Sequence, residues 1–305
     1  MSEYQYYEFH ALDRRLTPRE MDELRALSTR AQITPTSFSN FYNWGDLKGD
    51  PRRLVERYFD AFLYLANWGT RRLMFRLPSR LLPLETATRC CSGGRASAWA
   101  GGEHVIVELV SDRELDEVPG WEREAEENET GEGWLPSILP VRDELARGDL
   151  RALYLGWLLR VMAGELEADA PEPPLPEGLG RLSAGLEAMV RFLRIDLDLV
   201  AAAAARTPDV SGAPLAEDEA AAWIARLPEQ EKDRLLMRLL QGDPHLGNEL
   251  LQRARRELGE PGRKRPPGST GRPRTVSELL ALAEKRGTPA PARPAEREHR
   301  GPGRR

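Results

Sequence analysis

The hydrophobic period of this chain changes once. Up to about residue 111 it is mostly two, the spacing of strands; from about residue 136 it is 3.6, the spacing of helices. Between the two runs an acidic stretch, Asp112 to Glu132, with ten carboxylates against two arginines. A chain patterned this way is neither an all-helical bundle nor a β-sandwich. It predicts an α+β protein whose strands come first and whose helices follow.

The first part alternates clearly. Tyr7, Phe9 and Ala11 fall on one side of a strand, and Tyr4, Tyr6, Glu8 and His10 on the other. Thr17-Pro18-Arg19-Glu20 carries a cap, a first-turn proline and a glutamate placed to close a capping box. Met21, Leu24 and Leu27 continue that helix to about residue 30. Ile33 to Trp44 reads as one strand, with Pro35 at an edge or a late start. Asp50-Pro51 opens a second helix with Leu54, Tyr58, Phe59, Phe62 and Leu65 on its apolar side. Arg72 to Leu77 alternates again, and a short helix is expected near 84–91. A hairpin follows, from Ala96–Trp99 through Gly101-Gly102 to His104–Val110. The expected fold is an antiparallel or mixed sheet with helices on one face, in a ferredoxin-like split βαβ order with additions.

Residues 1–111 are expected to form this α+β domain, 112–135 an acidic flexible loop, and 136–257 a helical domain. Its strongest stripe is Leu150, Leu153, Tyr154, Trp157, Leu158 and Val161. Further helices are expected near 183–194, 196–206, 217–226, 229–241 and 244–257. Residues 258–305 are expected to be a disordered basic tail. From Pro261 onward it holds 12 basic and four acidic residues, so the formal net charge of −5 conceals a positive end on an acidic body. One part of the tail differs. Thr275-Val276-Ser277-Glu278 is a capping box that opens a short apolar helix near 276–286, too short to be stable without a docking surface.

No motif in the chain names a reaction. There is no phosphate-binding loop, no nucleophile elbow and no H-E-x-x-H. Cys90 and Cys91 are adjacent, too close for an ordinary bridge and without metal-site spacing. His10, His104, Glu8 and Glu108 lie on predicted strands, but no spacing forces them together, so neither a metal nor a cofactor is expected. The candidate binding face is the outward side of the sheet. There Tyr4, Tyr6, Glu8 and His10 are expected beside Arg72 and Arg76, either stacking bases or covered by the helical half. Trp44 and Asp46, in a Trp-Gly turn near Arg71 and Arg72, complete the set.

Three stretches resemble a group of bacterial hypothetical proteins with no assigned activity. They are Ser2-Glu3-Tyr4-Gln5-Tyr6-Tyr7-Glu8-Phe9, Thr34-Pro35-Thr36-Ser37-Phe38 and Tyr58-Phe59-Asp60-Ala61-Phe62. The resemblance covers roughly residues 2–257 and implies no catalytic or binding residue. The first expectation is therefore a non-catalytic, cytoplasmic interaction or regulatory protein with a protein partner. The second is a nucleic-acid-associated accessory protein using the basic tail. The third is an enzyme of unrecognised type, with its site near the Trp44–Asp46 loop. No apolar run reaches the length of a membrane helix, so no membrane partner is expected.

Overall fold

The computed structural model describes residues 4–113, 131–207, 215–258 and 272–287. Residues 114–130 of the expected acidic loop lie outside this set. So do 259–271 and 288–305 of the expected disordered tail.

Seven strands form one antiparallel sheet: β1 (Gln5–His10), β2 (Gln32–Thr34), β3 (Ser37–Tyr42), β4 (Ala61–Ala66), β5 (Arg71–Pro78), β6 (Ala96–Gly101) and β7 (His104–Ser111). Their order is β2-β3-β1-β4-β5-β7-β6. Helix α1 (Pro18–Leu27) joins β1 to β2, and α2 (Pro51–Arg57) joins β3 to β4. Each connection skips one strand, so β3 lies between β1 and β2, and β1 lies between β3 and β4. This is the split βαβ unit twice over, in the ferredoxin-like order that the sequence predicts. β5, β7 and β6 extend the sheet past β4, and the short helix α3 (Leu84–Thr88) precedes β6.

Two elements differ from the sequence reading. Ile33 to Trp44 is a hairpin rather than one strand. Pro35 interrupts it, and Thr34 Oγ1 accepts from Thr36 N at 3.2 Å to shape the turn. Phe62 and Leu65 belong not to the second helix but to β4, because that helix stops at Arg57. All six residues of β4 are buried, so its run Ala-Phe-Leu-Tyr-Leu-Ala lacks the alternation that marks a strand with one wet face.

The helices between the first strands cover one face of the sheet, as expected, and the helical region that follows covers the other. On the first face, Leu24 of α1 and Leu54 and Val55 of α2 pack over Phe9, Phe38, Phe62 and Met74. Onto the second face pack α4 (Trp134–Ile138), α5 (Pro140–Ala146), α6 (Arg151–Met162), α7 (Ala184–Phe192) and α8 (Leu197–Ala204). They share one continuous core with Tyr6, Leu63, Leu73, Phe75, Val107 and Leu109 of the sheet. Helix α6 is buried almost all round, from Ala152 to Leu159, because it lies between the sheet and α7 and α8. Gly156 is its point of closest approach, where a Cβ would stand 2.7 Å from a methyl carbon of Leu109.

Helices α9 (Glu217–Arg226), α10 (Glu229–Leu240) and α11 (Leu246–Leu258) form a small layer of their own around Trp223, Leu227 and Ala254. The last helix, α12 (Val276–Gly287), stands where the tail capping box predicts it. Thr275 N donates to Glu278 Oε2 at 3.0 Å, and Glu278 N to Thr275 Oγ1 at 3.3 Å. Its docking surface is the chain itself. α12 packs on α8, burying Val276, Leu279 and Ala283. Just before it, Arg274 forms a bidentate pair with buried Glu172 at 2.7 and 2.6 Å and donates to the carbonyls of Ala202 and Ala203.

Candidate interaction surface

The sheet register divides the expected binding face in two. Glu8 pairs with Leu63 of β4, which pairs with Leu73 of β5; Tyr7 pairs with Tyr64, which pairs with Arg72. Because side chains alternate along a strand, Arg72 and Arg76 lie on the face opposite Tyr6, Glu8 and His10. β4 also separates β1 from β5, so the expected aromatic and arginine platform does not form.

Each half has internal partners. Tyr6 is 3% exposed under the helical layer and stacks on Phe41 at 4.6 Å, while Tyr4 is half-buried beside it. His10 Nε2 contacts Glu8 Oε1 at 2.9 Å. On the opposite face, Arg72 and Arg52 both bind Glu108, which is 1% exposed. Arg76 binds fully buried Asp60 at 2.7 Å. Asp46 accepts from Tyr7 Oη, and Gln5 Oε1 accepts from Tyr64 Oη at 2.9 Å. Trp44 extends from this loop, 88% exposed. These residues fix the ends of strands to loops and helices. Glu8 and Glu108 sit on opposite faces, and among the described residues no group of His, Cys, Asp and Glu could hold a metal ion.

A cleft of about 620 Å³ lies between the 179–182 turn, α7 and α8. Leu179, Leu182, Val190, Leu197 and Val200 line it, and its charged lining residues are Glu187 and Arg191, one turn apart on α7. Among the described residues that line it there is no nucleophile, imidazole or carboxylate pair of the sort acid–base or nucleophilic chemistry requires.

The described surface with the plainest unmet demand is the outer side of α10. Leu235 turns inward to the small core of this layer. Leu236, Met237, Leu239 and Leu240 are all more than half exposed, Leu240 at 82%, and no residue of α10 is buried. Ile224 of neighbouring α9 is exposed as well. Besides Leu235, polar contacts hold α10 in place. Arg238 reaches inward to Asp243 at 2.8 Å and Glu249 at 2.6 Å. Arg80, just after β5, binds the same two carboxylates at 3.2 and 3.1 Å. Gln252 of α11 donates to the carbonyls of Leu81 and Ala146. Arg253 of α11 pairs with Glu231 of α10 and Glu257, and Glu257 also accepts from Trp223 Nε1. With Arg238 turned inward and neutralised, the outer turn from Leu236 to Leu240 presents an apolar surface without charge.

No known protein family, curated protein or solved structure matches the chain.

Proposed function

We propose that this chain is a non-catalytic interaction protein and that its docking face is the outer side of α10. The observation that carries this reading is the run Leu236, Met237, Leu239 and Leu240, presented to solvent by a helix anchored through charged contacts on its other side. Clustered apolar side chains in water mark a contact surface more often than an accident. Burying a leucine of this kind is worth roughly 1.5–3 kcal/mol before the costs of association.

The partner that suits the patch is a second copy of the chain. A two-fold contact sets each residue near its own counterpart, so charged patches repel and uncharged apolar ones do not. Light scattering coupled to size exclusion, from about 1 to 100 μM, tests this. The parent chain is expected to move from monomer to dimer across that range. The Leu236→Glu/Leu240→Glu variant is expected to stay monomeric and to melt where the dilute, monomeric parent melts, because both side chains are exposed. A parent chain that stays monomeric throughout would overturn self-docking.

A further inference from the structure

Helices α9, α10 and α11 meet the rest of the molecule through polar side chains rather than through a shared core. Their own core, around Trp223, Leu227 and Ala254, is separate from the two cores that line the sheet. Among the described residues, every hydrogen bond across this junction uses a side chain, and none runs from backbone to backbone. Arg80, just after β5, donates from Nε to Glu249 at 3.1 Å and from Nη2 to Asp243 at 3.2 Å. Gln252 of α11 donates to the carbonyls of Leu81 at 3.2 Å and Ala146 at 2.7 Å. Asp13 faces His245 at 2.9 Å. Leu246, next in sequence to His245, is buried but belongs to none of the three cores.

The charges at the junction divide cleanly between the two sides. Arg238 holds Asp243 and Glu249 at 2.8 and 2.6 Å from within the helical layer. Arg142 of α5 holds Asp13 at 2.7 Å from within the body. Parting the two sides therefore strands no carboxylate on either. Arg80, whose side chain is already 42% exposed, and two carbonyl groups are left for water to hydrate. The closed pairs Arg76–Asp60 and Arg274–Glu172 differ in this respect, because separating them would leave buried charges unmet. The layer itself depends more on the contact. A unit of about 40 residues with so small a core is marginal alone, so its helices open readily once undocked.

We propose that α9–α11 form a detachable unit held by an ionic latch centred on Arg80, and that rising ionic strength releases it while the sheet and α4–α8 stay folded. The partly exposed position of Arg80 and its two carboxylates makes the latch open to screening, which a buried pair resists. The latch does not depend on what α10 docks against, although it controls whether α10 is held in place.

Amide hydrogen exchange on the full chain tests the latch, at 1 μM protein and constant pH, in 50 mM and in 500 mM potassium chloride. That change shortens the screening length from roughly 14 Å to roughly 4 Å. Exchange over 217–258 is expected to accelerate at least fivefold, with the amides of β1, β4, β5 and β7 unchanged. Salt also weakens the pairs that Arg253 makes inside the layer, so the deciding variant is Arg80→Gln, which alters the junction alone. At 50 mM salt Arg80→Gln is expected to exchange over 217–258 as fast as the parent does at 500 mM, and to respond little to further salt. Arg80→Lys keeps the charge but loses the fork that reaches two carboxylates, and is expected to fall between parent and Arg80→Gln. Exchange over 217–258 that Arg80→Gln leaves unchanged would overturn the proposal. So would equal acceleration in the sheet, which would make the layer part of one cooperative fold.

Discussion

Single residues in this protein act mostly by meeting, or failing to meet, a buried demand. Gly131 is one case. It stands at φ 81°, and a Cβ there would lie 2.5 Å from Cδ1 of the buried Tyr6 ring. Gly131→Ala combines a left-handed backbone for a residue with a side chain with a clash against an aromatic ring that cannot rotate away. A loss of about 1–3 kcal/mol is expected, read as a shifted midpoint in urea unfolding with an unchanged slope. Arg274 is the opposite case, a cation whose hydrogen bonds are met. Its partner Glu172 also accepts from Tyr154 Oη, so Arg274→Ala would leave a carboxylate in a closed, low-dielectric site. Neither role is visible in the sequence. Gly131 is one glycine among 26, and Arg274 one cation in a tail that reads as uniformly basic.

The elements were legible to differing degrees, for identifiable reasons. α1 and α12 announce themselves because a capping box is a local motif that needs only four residues to form. α7 to α11 fall close to their expected positions because each keeps the 3.6 period, and Ser183 and Asp196 cap α7 and α8. β4 has no strand signature in the sequence because it lies between two layers, and a strand wet on neither side has no period to read. Within α12, the cap and the docking make separable contributions. Thr275→Ala is expected to weaken α12 by about 1 kcal/mol, while Arg274→Ala should release it. Amide exchange distinguishes the two. Thr275→Ala should accelerate exchange over 276–287 modestly, Arg274→Ala should abolish protection there, and the sheet amides should remain protected in both. Equal loss of protection in the sheet would mean that α12 is part of the cooperative core.

At the scale of the whole molecule, one charged junction ties three regions together. Asp13, in the loop after β1, accepts from Arg142 of α5 at 2.7 Å and lies 2.9 Å from Nε2 of His245, just before α11. The imidazole is close to the carboxylate, though imperfectly aligned with it. Fully buried Asp60 lies below, accepting from the backbone of Leu12 and Asp13 and from Arg76. Burial of Asp13 opposes its ionisation, but His245 and Arg142 outweigh it and hold the carboxyl at about 2. A carboxyl that titrates lower in the folded chain than in the unfolded one stabilises the fold above about pH 4. That contribution disappears as pH falls from about 4 to 2. After allowance for partial solvent screening it amounts to about 1 kcal/mol. Asp13→Asn is therefore expected to be less stable than the parent at pH 7 and nearly equal to it at pH 2.5, in urea unfolding at the two pH values. A difference that stayed constant with pH would show that packing, not charge, is what Asp13 supplies.

The sequence by itself determined the α+β class, the strand–helix–strand opening of the chain, the start sites of most helices and the existence of the C-terminal helix. All of these follow from periods, caps and turns that act over a few residues. Tertiary structure alone decided which face each side chain occupies. Tyr6 and Arg72 appear equally able to share a surface until the register through β4 puts them on opposite sides. It also decided which apolar and charged groups find partners. The leucines of α6 and those of α10 look alike in sequence, yet the first are enclosed between sheet and helices while the second face water. Arg71 and Arg76 lie five residues apart on one strand; Asp60 reaches Arg76, whereas among the described residues no carboxylate pairs with Arg71. Partnership depends on what the rest of the chain brings within a few ångströms, and no local pattern records it.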